Sequence, residues 1–304
     1  CDGSLMGNGI EARSFKIPTF QLAVPIRHRQ ESVQEYAAEE VVNAIHFIEE
    51  QTGEKFDWDA FFKSMKRFNA ETEEFLEWME ISKTDYPQVM GVTLALYRYG
   101  VYQAAGGRNQ AFLDMDKKLT KMALDAYKSK EMAAKEYRHR AMTWGVQAAY
   151  YTALPIWLLN CWGVVTIADM LSMVSTEMVN TEDKHQAMLD LAYLYENMIM
   201  RNRSNGGYET GVEALWRFCE MFNIDIVIMY VHMGCKSMSG YHGLFEEEAR
   251  KHGIHLIWVT HNLMCPEDGT RRDMRTEINR YMRTVFREEP LDPSLEDFDD
   301  SKSW

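Results

Sequence analysis

One cysteine stands in a turn of glycines, serines and a lysine. Among the segments of the sequence, this turn is the one whose residues are best suited to a chemical role. Cys235 lies in "VHMGCKSMSGYHG", between the apolar run "IDIVIMY" and the charged "LFEEEARKHG". A helix N-terminus and a nearby lysine, here Lys236, favour the thiolate form of a cysteine, which is the form that binds iron. The alternative is a small, buried hydrophobic residue at the end of a strand. No CxxC spacing decides between these two interpretations.

Other polar side chains of this turn could handle protons or bind oxygen atoms. His232 and His242 flank the cysteine and could donate hydrogen bonds or protons, although a histidine in a polar turn is often only solvated. Ser237 and Ser239, with the backbone N–H groups of the turn, could hold the oxygen of a ligand. We therefore predict His232, Ser237 and Ser239 as candidate catalytic residues.

Three other cysteines and two tyrosines have less specific surroundings. Cys161 and Cys219 stand among apolar residues of predicted helices, so we predict structural roles for them. Cys265, in "LMCPEDG", could instead reach the site. Tyr150 and Tyr151 could line an acyl pocket, and the alternative for both is packing in the core.

From about Lys135 onward, the elements of the chain alternate between strand and helix. Strands are predicted at "RHRAMTWG", "GVVTIADML", "DIVIMYV" and "HLIWVTH", and helices include "IWLLNCW" and "LFEEEARKHG". This alternation predicts a parallel sheet with right-handed crossovers. Ligands of such sheets bind beyond the carboxyl ends of the strands, which is where Cys235 falls.

The first part of the chain is predicted to be largely helical. Apolar residues at helical spacing predict helices at 36–51, 57–81, 88–103 and 111–131. Before them, "CDGSLMGNG" is predicted to be a Gly-rich turn, and Ile17–Val24 an interior strand of a sheet already under way. Because the chain begins at Cys1 without an initiator methionine, we expect it to be the C-terminal part of a longer protein.

These patterns together predict an α/β protein. It would have two Rossmann-like domains with parallel sheets and an added helical segment, the first domain being incomplete. Residues 1–134 are assigned to the C-terminal part of the first α/β domain plus the helical segment. Residues 135–290 are assigned to the second α/β domain, and residues 291–304 to an acidic C-terminal tail.

Composition excludes several classes of function. A net charge of −13 without a basic stripe argues against nucleic-acid binding. The longest apolar stretches are too polar to span a bilayer, and no secretory signal is visible. Five cysteines are too few and too scattered for a disulfide framework, which favours a reducing cytoplasm. "GNG" is too short for a dinucleotide-binding fingerprint.

The motifs carry a resemblance to a known family. "DIVIMYVHMGCKSMSGYHG" and the residues that follow, to "RRDMRTEINRYMRTV", resemble the C-terminal cluster-binding region of the 2-hydroxyacyl-CoA dehydratase and benzoyl-CoA reductase family. "CDGSLMGNG", "IPTFQLAVP" and "AAEEVVNAIHFIEEQTG" are similar to the family's cysteine turn, proline-ended strand and long helix. "YRHRAMTWG" and "WGVVTIADM" resemble the start of its second domain, so the resemblance covers nearly the whole chain.

The resemblance implies a cofactor and its ligands. Subunits of this family bind a [4Fe–4S] cluster through three cysteines from two similar α/β domains. By motif, Cys1 corresponds to the second of these ligands and Cys235 to the third, and the first is expected upstream. A set of three cysteines would leave one iron open to a substrate oxygen.

The resemblance also implies a reaction and partners. In this family, an ATP-dependent activator protein with its own iron–sulfur cluster injects one electron, and the acyl-CoA thioester becomes a ketyl radical anion that expels the 2-hydroxyl group. This chain would then belong to an anaerobic hydro-lyase of amino-acid fermentation, paired with a homologous second subunit, that converts (R)-2-hydroxyacyl-CoA into (E)-2-enoyl-CoA. Two alternatives stay open: a subunit of an ATP-dependent benzoyl-CoA reductase, and a non-catalytic subunit that relays electrons.

Overall fold

The protein is a mixed α/β structure built around one parallel sheet. The computed structural model describes residues 2–23, 25, 31–88, 110–132, 136–170, 177–197 and 208–297. Within these ranges the chain forms ten α-helices and four β-strands, and all strand pairs are parallel. The predicted α/β class is therefore confirmed.

The strands are short and most of their residues are buried on both faces, as is typical of parallel sheets covered by helices. They are β1 (His139–Trp144), β2 (Val164–Asp169), β3 (Ile226–His232) and β4 (His255–His261). Their order in the sheet is β2-β1-β3-β4. All four lie where the sequence predicted strands.

The helices come before, between and after the strands. Those before the sheet are α1 (Asp2–Phe15), α2 (Glu31–Thr52), α3 (Trp58–Ser82) and α4 (Gln110–Lys128). Those after β1 are α5 (Leu154–Trp162), α6 (Lys184–Glu196), α7 (Tyr208–Met221), α8 (Lys236–Gly240), α9 (His242–His252) and α10 (Arg271–Tyr281). Short 3-10 helices cover Pro266–Asp268 and Pro293–Leu295, and a π-helix covers Met282–Phe286.

Helices pack on both faces of the sheet, so the core has two halves. On one face, apolar residues of α3, α7 and α9 pack against the strands; they include Phe75, Met79, Leu215, Phe218 and Phe245. On the other face, α5 and α10 supply a second set, which includes Leu154, Trp157, Leu158, Met274 and Ile278. The helical segment that precedes the sheet thus shares its core through α3.

Arg140 links this helical segment to the sheet. Its guanidinium is buried and donates to three backbone carbonyls: Phe222 O at 2.9 Å, Thr84 O at 2.9 Å and Ser82 O at 2.7 Å. Ser82 ends α3, where backbone carbonyls have no partner within the helix, and the negative end of the helix dipole favours a cation. The arginine therefore binds the end of α3 to the start of β1.

Two predictions for the N-terminal residues were wrong. Ile17–Ala23, most of the predicted strand, has no regular secondary structure, and α1 occupies most of the predicted Gly-rich turn. A lone strand leaves its backbone groups unpaired, and the described part of the chain places no other strand beside it. Pro18 also lacks the N–H that a strand would use for pairing.

Some predictions fall outside the described residues. The predicted helix at 88–103, apart from Gln88, lies there, and so does the predicted boundary at residue 135. In the predicted acidic tail, residues 291–297 are described and are bound to the core. Leu291 N–H donates to Cys161 O at 2.7 Å, and Trp157 Nε1 donates to Leu295 O at 2.8 Å.

No helix in the described ranges combines the length and the apolar character needed to cross a membrane.

Candidate functional site

The strand order creates a crevice at the carboxyl edge of the sheet. From β1 the chain crosses to β2 on one side, whereas from β3 it crosses to β4 on the other side. The loops that follow β1 and β3 therefore diverge, and this topological switch point is where open α/β sheets bind their ligands. The loop after β3 contains Cys235, three residues beyond the end of the strand.

Cys235 is the residue that precedes α8, and its backbone is fixed on both sides. Its N–H donates to His232 O at 2.8 Å, and its carbonyl accepts from Ser239 N–H at 3.1 Å. With φ −87° and ψ 97° it is extended and turns the chain from β3 into α8. The thiol is half-buried, forms no disulfide and packs against the edge of the core. The structure therefore places a partly accessible thiol at the switch point.

His232 ends β3 directly before this turn, and its ring has a defined tautomer when neutral. Gly234 N–H donates to His232 Nδ1 at 3.1 Å, so Nδ1 is the acceptor and Nε2 carries the proton. A Cβ on Gly234 would lie 3.1 Å from Cε1 of this ring, which is why a glycine suits the position. Residue 232 is thus placed to present an N–H donor near Cys235.

The serines predicted as catalytic residues lie on α8 with different exposure. Ser237 is half-buried and its carbonyl accepts from Tyr241 N–H at 3.1 Å, whereas Ser239 is exposed. His242, at the start of α9, packs against Trp258 with the ring centroids 4.0 Å apart and the rings tilted by 31°. The backbone bonds of Ser237 and Ser239 thus hold α8 directly after Cys235.

The other described cysteines have surroundings that differ from those of Cys235. Burial raises the pKa of the Cys161 and Cys219 thiols to about 12, so both stay protonated in the core. Cys265 lies in the loop after β4, and its thiol donates to Glu267 Oε2 at 3.0 Å. That hydrogen bond to a carboxylate raises the pKa of the Cys265 thiol.

The two tyrosines of the loop after β1 are part of the core. Tyr150 is buried and its hydroxyl donates to Gly269 O, while its own carbonyl accepts from Arg271 Nε at 3.1 Å. Tyr151 is buried too, and its hydroxyl accepts from Arg275 Nη1 at 3.0 Å. These bonds support packing, the alternative to an acyl pocket, as the role of both tyrosines.

Sequence reasoning missed two residues of this edge, Tyr230 and His261. Tyr230 lies two residues before the end of β3 and projects from the same face as His232, and His261 is the last residue of β4, in register with His232. Both are buried, and within the described ranges the Tyr230 hydroxyl has no hydrogen-bond partner. The only sequence signal for these two residues was a tyrosine or histidine near the end of each of two apolar strands.

The residues present fit one cysteine ligand of an iron–sulfur cluster. Cys235 offers a sulfur outside any disulfide at the edge where ligands bind, and Cys1 lies outside the described residues. Among the described residues, no group of three or more His, Cys, Asp or Glu side chains is placed to hold a metal ion.

A comparison with protein families found one match over most of the chain. The family model is described as 2-hydroxyglutaryl-CoA dehydratase, D-component, and it matches residues 1–281. A search of curated proteins found no match. The family match confirms the resemblance seen in the motifs around residues 1 and 235. The chain therefore belongs to the 2-hydroxyglutaryl-CoA dehydratase D-component family.

Proposed function

We propose that this chain is the iron–sulfur subunit of a radical 2-hydroxyacyl-CoA dehydratase. The enzyme would remove water from an (R)-2-hydroxyacyl-CoA and release the (E)-2-enoyl-CoA. Family membership supports a component of a dehydratase system. The observation that carries the proposal for this chain is the half-buried, disulfide-free Cys235 at the switch point of the sheet.

The cofactor proposed here is a [4Fe–4S] cluster, with Cys1 and Cys235 among its ligands. When bound, the cluster would supply one-electron chemistry at low potential, which the side chains of a protein cannot provide. Cys235 suits a ligand because its backbone is fixed by Ser239 N–H and by His232 O. A rigid ligand holds its metal group in a constant position next to the substrate.

The remaining residues of the edge would bind and orient the substrate and hold protons. His232, with its proton on Nε2, can donate a hydrogen bond to a substrate oxygen. The apolar strands and the helices on both faces exclude water from the base of the crevice. Ser237 and Ser239 remain candidates for contacts with the thioester or its oxygen.

We also propose the partners that this reaction requires. They are a homologous second subunit, an activator protein that hydrolyses ATP and carries its own iron–sulfur cluster, and the acyl-CoA substrate. A D-component implies further components of the same system, which supports this set. Exposed apolar side chains in and after α1, namely Met6, Ile10, Phe15 and Ile17, add a surface that a subunit could cover.

An anaerobic assay tests the reaction. The chain with its second subunit, the activator, ATP, Mg²⁺ and a low-potential reductant is offered 2-hydroxyglutaryl-CoA or benzoyl-CoA separately. We expect many hydroxyacyl-CoA molecules to be dehydrated per electron injected, because the electron returns after each elimination. We also expect no turnover from this chain alone, since the activator supplies the electron.

The opposite results would exclude the proposal. Electrons consumed in proportion to a reduced ring product, with no enoyl-CoA from any hydroxyacyl-CoA, would instead identify a ring reductase. Full dehydratase activity from this chain without partner or activator would contradict the proposed assembly.

A further inference from the structure

Two loops form the walls of the crevice at the switch point. The β1 wall is the loop 145–153, which continues into α5 on one face of the sheet. The β3 wall is the loop 233–235, which ends at Cys235 and continues into α8 on the other face. A ligand of the crevice lies between these walls, so their separation decides where it meets the sulfur of residue 235.

His261, the last residue of β4, contacts both walls. It is fully buried, and its ring is hydrogen-bonded to the backbone of Asn262 and of Val146, which belongs to the β1 wall. The carbonyl oxygen of His261 accepts from the N–H of Met233, the first residue of the β3 wall, at 3.0 Å. One residue thus holds the β1 wall through its side chain and the β3 wall through its main chain.

The His261 ring acts as a hydrogen-bond donor to the backbone. Burial lowers the pKa of this ring, whereas the hydrogen bonds with Asn262 and Val146 raise the pKa and the nearby His232 lowers it slightly. A hydrogen bond raises the pKa of a histidine when the ring N–H donates to a carbonyl oxygen. The enclosed ring is therefore suited to fix the backbone around it.

The β1 wall lies close against β3 and the loop after β4. Ala149 N–H donates to Leu263 O at 3.0 Å, beyond the end of β4. Gly145 has φ +104°, and a Cβ there would lie 2.3 Å from the carbonyl oxygen of Tyr230. Only a glycine therefore lets the β1 wall lie directly on the backbone of β3. The wall crosses β3 near its carboxyl end on the way to the loop after β4.

The β3 wall is anchored to the ends of β3 and β4. His232 and His261 are register partners, and their ring centroids are 6.0 Å apart. Gly234 N–H donates to Nδ1 of His232 at 3.1 Å, and Cys235 N–H donates to the carbonyl oxygen of His232 at 2.8 Å. Together with the Met233 bond, all three backbone N–H groups of the β3 wall bind one of these two histidines. The position of the residue 235 sulfur therefore depends on both strand ends.

We propose that His261 is a positioning residue of the dehydratase, which holds the two walls of the crevice at a fixed separation. This inference rests on the proposed function, since it concerns the same site around Cys235. His261 is enclosed, so it would act through Val146 and Met233 without touching the substrate. Displacing a reacting group by about 1 Å can slow a reaction about a hundredfold, so such a residue would have a large effect on the rate.

Hydrogen exchange of the assembled protein tests the contact itself. Wild type and His261→Leu are purified without oxygen and compared without substrate by mass spectrometry. Leucine fills a similar volume but has no donor for the β1 wall, so the amides of Ala149 and Met233 are expected to exchange about tenfold faster, as the loss of one hydrogen bond implies. The amide of Val227, inside β3, should keep its wild-type rate.

Turnover tests the consequence for the reaction. In the anaerobic assay with the second subunit and the activator, His261→Leu is expected to lower kcat for 2-hydroxyglutaryl-CoA about tenfold or more, with little change in KM. Its iron content should equal that of the wild type, because Cys235 is unchanged. In His261→Gln the side-chain amide can again donate to a carbonyl oxygen, so this variant should recover much of kcat and of the amide protection.

His255→Leu is the matched control. His255 is the first residue of β4, at the opposite end of the strand, and its Nδ1 lies 3.1 Å from the Tyr281 hydroxyl. The control substitution also replaces a histidine of β4 by leucine, but it lies away from the crevice. It should leave both the exchange at Ala149 and Met233 and kcat unchanged.

Three outcomes would overturn the role of His261. Unchanged exchange at Ala149 and Met233 in His261→Leu would show that the ring does not hold the walls. A His261→Gln protein as impaired as His261→Leu would assign the effect to packing of the ring. Faster exchange with an unchanged kcat would make the contact structural only.

Two further results keep the test decisive. If His261→Leu does not fold, His261→Asn takes its place with the same expected results, because its shorter amide lies farther from the β1 wall. A wild type that turns over no hydroxyacyl-CoA would overturn the proposed function instead, and the exchange rates would still decide whether His261 holds the two walls.

Discussion

Cys235→Ser is expected to lose nearly all of its cluster iron and the visible absorbance that comes with it. A serine hydroxyl does not provide the thiolate that iron–sulfur clusters require. The substitution is nearly isosteric, and the backbone bonds to His232 O and from Ser239 N–H do not involve the side chain. The fold should therefore survive while the cluster is lost. Iron analysis and absorbance of protein purified without oxygen measure both effects.

Cys265→Ser is the matched control. Cys265 is also a half-buried cysteine outside any disulfide, in the loop that follows the neighbouring strand, and its thiol already donates to Glu267. This variant should keep its iron. A Cys235→Ser protein with full iron content would refute Cys235 as a ligand. If only Cys265→Ser lost its iron, Cys265 in the loop after β4 would be the ligand instead.

Arg140→Met is expected to lower the free energy of unfolding by about 3 kcal/mol, because removing the buried guanidinium leaves three backbone carbonyls without their hydrogen-bond donor. Three backbone carbonyls, those of Phe222, Thr84 and Ser82, would each lose their hydrogen bond from the guanidinium. A methionine fills a similar volume, so the effect reports hydrogen bonding more than packing. Urea unfolding followed by tryptophan fluorescence measures it.

Arg272→Met serves as the control for this second prediction. Arg272 is exposed and pairs with the exposed Asp297 at 3.0 Å, and such surface ion pairs contribute between about 0 and 1 kcal/mol. A loss below about 1 kcal/mol in Arg140→Met would contradict the role of Arg140 as the link between α3 and the sheet.

The sequence predicted the strands of the sheet well because their signals are local. β3 and β4 are short apolar runs that end in polar turns, and the observed bounds Ile226–His232 and His255–His261 fall within one residue of the quoted runs. Parallel pairing follows because helices alternate with the strands. The position of Cys235 beyond the end of β3 could be predicted for the same reason.

Features that depend on tertiary packing could not be predicted in this way. The order β2-β1-β3-β4, and with it the switch point, depends on which side each crossover takes. Tyr230 and His261 are 31 positions apart in sequence and meet only through the β3–β4 register. The glycines at the start suggested a turn, but α1 includes Gly3, Gly7 and Gly9. The cost of about 1 kcal/mol per helical glycine is a weak local signal.

Mössbauer spectroscopy of the protein purified without oxygen, before and after addition of 2-hydroxyglutaryl-CoA, tests the central claim most directly. The proposal predicts one [4Fe–4S] cluster in which a single iron site changes its spectrum when the hydroxyacyl-CoA is added, because three cysteine ligands leave one iron open. A protein that contains no cluster iron, or whose iron spectrum is the same with and without the ligand, would contradict a substrate-binding cluster held by Cys235.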